Sequence, residues 1–318
     1  MISISAISDY VPEHALANAE RLDEFGITQD FLDTKIGVMR VARKGDDQET
    51  SDLCVGAFRK LQSEAGVDPT SVDCVVVCTQ NPDGHGLPHT SAVVHGKLGL
   101  KPDCASFDVS LGCSGYVYGL SVVSSFMAAN GLERGLLFTA DPYSKIVDPA
   151  DKNTCLLFGD AASVTLLQPA AGGSDNWVAS DFRFISQGSQ GKVLSVENGR
   201  LRMNGRAVFS FSATEAPRLI GETLARAGLT KEAIDVFLLH QGSKFIVDTI
   251  RDRLDVAPHK VPLKMSAFGN TVSSSIPMML RDYLRRDDVS RIVLCGFGVG
   301  LSAASCLLTR NAGGAGQP

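Results

Sequence analysis

The chain repeats itself, and that limits its folds more than any other feature. AGVDPTSVDCVVVCTQ, Ala65 to Gln80, aligns without a gap on AGLTKEAIDVFLLHQG, Ala227 to Gly242, 162 residues later. In both, an Ala-Gly helix end leads through a polar link and a Val-Asp or Ile-Asp pair into an apolar run. DVSLGCS (Asp108 to Ser114) then matches MSAFGNT (Met265 to Thr271), and RGLLFTA (Arg134 to Ala140) matches RIVLCGF (Arg291 to Phe297), each 157 residues apart. Ordered self-similarity at a near-constant offset is the mark of a duplicated unit. The chain therefore reads as two similar α/β halves, residues 1–170 and 171–318, joined near QPAAGGSDN, Gln168 to Asn176.

Continuous apolar runs predict strands buried on both faces over 72–79, 104–109, 135–140, 161–167, 235–239, 291–296 and 302–309. The last two, separated by GFGVG, read as an antiparallel pair, so the sheets are mixed. Helices are predicted over 50–65, with Leu53, Ala57 and Leu61 on one stripe, and over 214–227, with Pro217 in its first turn.

Bulk properties exclude several functions. A net charge of −5 and no basic stripe argue against nucleic acid. No run approaches the roughly 18 apolar residues of a membrane span, and MISISAISDYVPEH lacks a signal peptide's basic start and apolar segment. Several of the eight cysteines sit inside apolar runs, as in VDCVVVC, so reduced thiols in the cytoplasm are expected.

The repeat has a chemical consequence, because duplicated halves bring equivalent positions together. Cys113 and Asn270 are equivalent, each after a Gly at a strand-to-helix turn, and His240 ends the strand equivalent to the one ending at Cys78. A thiol at a helix start has its thiolate favoured, and small neighbours let its backbone N–H reach a developing oxyanion. Each residue also has a plain reading. Cys113 is one of many core cysteines, like Cys54, Cys74, Cys104, Cys155 and Cys306. A single His at the polar end of FLLHQG is more often structural, and Asn-Thr is a common turn or cap signal. His85, His89 and His95 lack an acidic or thiolate partner, so no metal is expected. GFGVG does not have the glycine spacing of a dinucleotide loop.

Taken together, DVSLGCSGYVYGL, LFGDAASVTLL, HQGSKFI, FGNTVSSSIP and GFGVGLSAASCLL closely resemble, in order, the motifs of β-ketoacyl-acyl-carrier-protein synthase III. The resemblance implies a thiolase-like α/β fold, two duplicated halves layered αβαβα with mixed sheets. It implies that Cys113 attacks an acyl-CoA, with an oxyanion hole from the N–H groups of Cys113 and Gly300. His240 and Asn270 would then donate hydrogen bonds to a malonyl thioester, malonyl-CoA or malonyl carrier protein, as it loses CO2 and condenses. CoA and pantetheine thioesters are substrates in this scheme and no cofactor is needed. The enzyme would be a cytoplasmic homodimer working with an acyl carrier protein.

The resemblance assigns CoA binding to Phe31, Lys35, Lys152, Arg206, Phe209 and Ser243, with departures. Phe31 and Lys35 stand where a Trp and an Arg are usual, so a point charge replaces a fork. Phe245 and Ser210 replace an Arg and a Lys of the carrier-docking face, for which Lys244 and Arg251 are candidate substitutes. Leu87 matches a position, often aromatic, that reaches the partner subunit's acyl pocket. Val299 and Ala303 replace a Gly and a Trp in the late loop. Three other readings use the same residues: an acyltransferase passing the acyl group to an alcohol or amine, a Cys-His-Asn hydrolase, and a non-catalytic partner in a hetero-complex.

Overall fold

The structure is a computed structural model that describes residues 1–171 and 176–311. Residues 172–175, the middle of the anticipated linker, lie outside the described residues. The principal strands are β1 (Ile2–Tyr10), β2 (Cys74–Cys78), β3 (Ala105–Val109), β4 (Gly135–Ala140), β5 (Ala162–Pro169), β6 (Asn176–Ser186), β7 (Val236–Leu239), β8 (Arg291–Gly298) and β9 (Ser302–Asn311). The helices that matter here are α1 (Thr50–Ala65), α2 (Thr90–Leu98), α3 (Gly115–Asn130), α4 (Gly205–Ala227), α5 (Lys244–Leu254) and α6 (Ser275–Leu280).

All nine strands form one mixed sheet in the order β7-β8-β9-β6-β1-β5-β4-β2-β3. Its two wings run alike. A parallel pair (β2·β4, β7·β8) is followed by two antiparallel pairings (β4·β5·β1, β8·β9·β6). Within the sheet the wings are joined where β1 pairs with β6, in the register Ile4↔Trp177.

Side-chain alternation turns this sheet into five layers. Along β2, Val75 and Val77 pack under α1 with Leu53 and Leu61, whereas Cys74, Val76 and Cys78 face α3 and α6. Along β8, Ile292 and Leu294 face the same central helices, whereas Val293, Cys295 and Phe297 face Leu219 and Ile220 of α4 and Val247 of α5. The order is α1, first wing, α3 with α6, second wing, α4 with α5: the layered thiolase-type arrangement that the resemblance implies.

Two strands of the main sheet escaped the sequence reading. In β1 a bulge between Ile4 and Ala6 lets both Ile4 and Ile7 reach the central core, which breaks the period of two. β6 carries polar and charged residues and occupies the far side of the presumed linker. Helix α4 also departs from expectation. Asn204 caps it by accepting the Ala207 N–H at 3.1 Å, so it starts at Gly205 and Pro217 lies inside it rather than in its first turn. A proline there leaves the carbonyl four residues back without its helical donor. That carbonyl, of Ala213, accepts instead from Arg253 Nη1 of α5 at 2.7 Å.

All eight cysteines are free and buried. His95 bonds the Lys101 carbonyl at 3.0 Å. Among the described residues no cluster of His, Cys, Asp or Glu is placed to hold a metal ion, and no helix is long and apolar enough to cross a membrane.

Candidate active site

Three strand ends meet above the central layer. Cys113 sits on the tight turn between β3 and α3, closed by the Gly115 N–H donating to Gly112 O at 2.7 Å. The turn packs directly against the end of β8. A Cβ on Gly296 would stand 2.5 Å from Cys113 O, and one on Gly298 would stand 2.6 Å from Cys113 Sγ. Only glycine allows this approach, and Gly298, at φ +155°, also has a conformation that L side chains rarely adopt.

His240 immediately follows β7, its N–H bonded to Cys295 O at 2.9 Å and its ring edge-on to Phe297. Its Nδ1 lies 2.8 Å from Ser275 Oγ, which itself donates to Val272 O at 3.0 Å. With the hydroxyl proton used there, the network assigns the ring proton to Nδ1 and leaves Nε2 as an acceptor. Asn270 bridges to Phe158 across the two wings. Its Oδ1 accepts the Val272 N–H at 2.9 Å, while Nδ2 has only a long 3.4 Å contact to Gly242 O. The pinned oxygen orients the amide and leaves an N–H to give.

Cys113, His240 and Asn270 are each under 5% exposed and line one cavity of about 510 Å³. Burial sets their protonation. The Cys113 thiol is pushed up to about 12, although the N–H groups of Val299 and of Cys113 itself oppose this. The lowered thiol pKa anticipated from the helix start is thus outweighed, and at neutral pH Cys113 is a thiol whose proton must be taken up during attack. Burial pushes His240 down to about 3, so its imidazole is neutral. Beneath the turn Asp141 accepts from the Gln80 N–H at 2.7 Å and from Ser273 Oγ at 2.6 Å, and burial lifts its carboxyl to about 6. It joins the end of β2 to the loop that carries Asn270.

The wider mouth of the cavity gathers Phe31, Lys35, Lys152, Arg206, Phe209 and Ser243, all six residues anticipated for CoA. Phe245, anticipated only as a lost carrier-docking cation, is here too. It stacks on Phe209 with ring centroids 5.0 Å apart and receives Lys35 Nζ 4.2 Å over its face. Lys244 and Arg251, the candidate substitutes, both pair with Asp248 on their own helix, so much of their charge is already answered.

Two anticipated residues lie elsewhere. Gly300 does not line the cavity; the N–H that faces Cys113 Sγ belongs to Val299, at the turn of the β8–β9 hairpin. Leu87 stands 93% exposed on the loop between β2 and α2, away from this chain's own cavity. The sequence reading missed Leu157, Leu194, Met203 and Ser212 in the walls. Ser212 was findable in principle, since 205, 208, 209 and 212 share one helical face once the helix start is set correctly.

A layered fold with a buried Cys, His and Asn at one cavity floor defines a thiolase-fold condensing enzyme. Residues 107–191 match the family description 3-oxoacyl-[acyl-carrier-protein] synthase III, and residues 224–310 match its C-terminal description. The β-ketoacyl-[acyl-carrier-protein] synthase III of Natranaerobius thermophilus is 31% identical over 96% of this chain and 98% of that protein. A solved 3-oxoacyl-(acyl-carrier-protein) synthase III superposes with a TM-score of 0.90 at 33% identity, covering 97% of this chain and 99% of that one. That of Pseudomonas aeruginosa gives 0.87 at 30% identity, covering 97% and 98%. The chain belongs to the β-ketoacyl-acyl-carrier-protein synthase III family and is an acyltransferase of the condensing type.

Proposed function

We propose that the chain condenses an acyl group taken from acyl-CoA with a malonyl thioester, using Cys113 as nucleophile. The observation that carries this reading is the convergence of Cys113, His240 and Asn270 on one cavity floor beneath an aromatic, cationic mouth. In the first stage Sγ bonds to the acyl carbon while the thiol proton passes to His240 Nε2. The resulting oxyanion is met by the N–H groups of Cys113 and Val299. It collapses by breaking the bond to the CoA sulfur, which leaves with the proton from Nε2.

In the second stage a malonyl thioester, on CoA or on an acyl carrier protein, puts its carbonyl against Asn270 Nδ2 and His240. The Ser275 hydroxyl both accepts and donates, so by rotating it lets the neutral ring carry its proton on Nε2 instead. Breaking the bond to the carboxylate releases CO2 and leaves an enolate held by these two donors. The carbanion attacks the acyl carbon, the thioester bond to Cys113 breaks, and the freed thiolate takes a proton from solvent. No cofactor takes part in this scheme.

Phe31, Lys35, Lys152, Arg206, Phe209 and Ser243 would hold the nucleotide end of CoA, by ring stacking and phosphate pairing. Residues 1–170 and 171–318 act as the two duplicated halves. A cytoplasmic homodimer, in which Leu87 reaches the partner's acyl pocket, completes the reading. Intact mass spectrometry after incubation with a panel of acyl-CoAs tests it. An acyl adduct on the wild-type chain, absent from Cys113→Ser, is expected; an unlabelled wild-type chain overturns it.

A further inference from the structure

Helix α4 lends the cavity Gly205, Arg206, Val208, Phe209 and Ser212. Exposure falls along this face. Arg206 is exposed, Phe209 is half-buried, and Ser212 is fully buried about 9 Å of helix rise further in. The surrounding wall is apolar, with Val208, Leu157, Leu194 and Met203. Ser212 is therefore a single hydroxyl on a greasy stretch between the cationic mouth and the reactive floor.

That hydroxyl has no hydrogen-bond partner among the described residues. A serine inside a helix ordinarily turns its hydroxyl back onto the carbonyl four residues earlier, here that of Val208. Ser212 makes no such bond, and a buried donor without a partner destabilises the empty protein. The natural partner is a group that enters with the substrate. On the two-stage reading above, on which this inference rests, the thioester carbon sits at Cys113 and the nucleotide at the mouth. The length between them is filled by the pantetheine arm, whose polar groups are two amides.

We infer that Ser212 is a substrate-binding residue whose hydroxyl hydrogen-bonds an amide of the pantetheine arm. The residue thereby distinguishes a pantetheine thioester from a simple thioester with the same acyl group.

The test compares Ser212→Ala with the wild-type chain on three donors of one acyl group: the CoA thioester, the N-acetylcysteamine thioester and the S-ethyl thioester. Acylation of Cys113 is followed by intact mass. Loss of one neutral hydrogen bond predicts a 3- to 10-fold fall in kcat/KM for the CoA thioester and none for the S-ethyl thioester, which has no amide. The N-acetylcysteamine thioester keeps the amide nearer the sulfur. It follows CoA if that amide is the partner and S-ethyl if the farther one is, and both results support the assignment. The Tm of empty Ser212→Ala should equal or exceed that of wild type, because an unpaired hydroxyl is removed. Equal losses on all three donors, no loss on the CoA thioester, or a lowered Tm overturns the assignment. A wild-type chain that no donor acylates overturns the two-stage reading, and this inference with it; that failure is visible before any variant is made.

Discussion

The floor and the mouth of the cavity are built on different principles. On the floor Cys113, His240 and Asn270 are buried and held by short backbone bonds from both wings of the sheet. Cys113 is hemmed by Gly296 and Gly298 at separations no Cβ could occupy. At the mouth Lys35, Arg206 and Phe245 are exposed and Phe31 is half-buried, and the Phe245 ring is held by stacking on Phe209 with the Lys35 ammonium over its face. The floor is over-determined and admits one set of side chains; the mouth needs only a flat apolar surface and positive charge. Three departures from the usual family pattern, Phe for Trp, Lys for Arg and Phe for Arg, each keep one of those two properties, whereas Ser210 for Lys keeps neither.

The sharpest break is Cys113→Ala. Removing the sulfur should lower condensation at least about 10³-fold, measured as β-ketoacyl product from acyl-CoA and malonyl-CoA. The donors on His240 and Asn270 stay in place, so CO2 release from the malonyl thioester should persist. Loss of both would mean that the floor works as a single unit. Next, Asn270→Ala should reduce condensation about 10²- to 10³-fold while Cys113 acylation stays within about threefold, because the amide serves only the second stage. Equal losses in both stages would assign Asn270 to the shape of the floor and not to the enolate.

The third prediction concerns the support beneath the floor. Asp141 has its carboxyl raised to about 6 from an ordinary 3.8 by burial. Between these values the unfolded chain has released its proton and the folded chain still holds it, so the contribution of Asp141 to stability is fully present below about pH 4 and is lost as pH rises through about 6. The drop is on the order of 3 kcal/mol across that window. Asp141→Asn should flatten the slope in urea titrations at pH 4, 5, 6 and 7; an unchanged slope would place its source elsewhere.

The difference between floor and mouth also decided what could be read in the sequence. Floor residues stand in duplicated turns where glycines and small neighbours are obligatory, so Cys113, Asn270 and the strand ending at His240 were visible as matched positions. The β8–β9 hairpin gave the loop but not its phase. Whether Val299 or Gly300 presents its N–H to the sulfur depends on which peptide faces Cys113, and both readings fit GFGVG. Walls such as Leu157, Leu194 and Met203 come from scattered loops and carry only ordinary hydrophobicity. β1 was hidden by its bulge, and Phe245 changes meaning only once its ring is seen on Phe209.

The smallest expected effects test whether the mouth is as tolerant as its construction implies. Lys35 reaches over the Phe245 ring, and a cation–π contact at an exposed site is worth roughly 0.5–1 kcal/mol. Lys35→Ala removes that contact and one phosphate-pairing charge, so KM for acyl-CoA should rise about 3- to 10-fold with kcat unchanged. Lys35→Arg should recover most of the loss, since Arg supplies charge, stacking and a fork. The charge-dependent part should shrink as salt is raised from 0.05 to about 0.5 M, because exposed pairs are screened over a Debye length of only several ångströms. A loss in kcat for Lys35→Ala, or one that salt leaves untouched, would tie the mouth mechanically to the floor and erase the distinction between them.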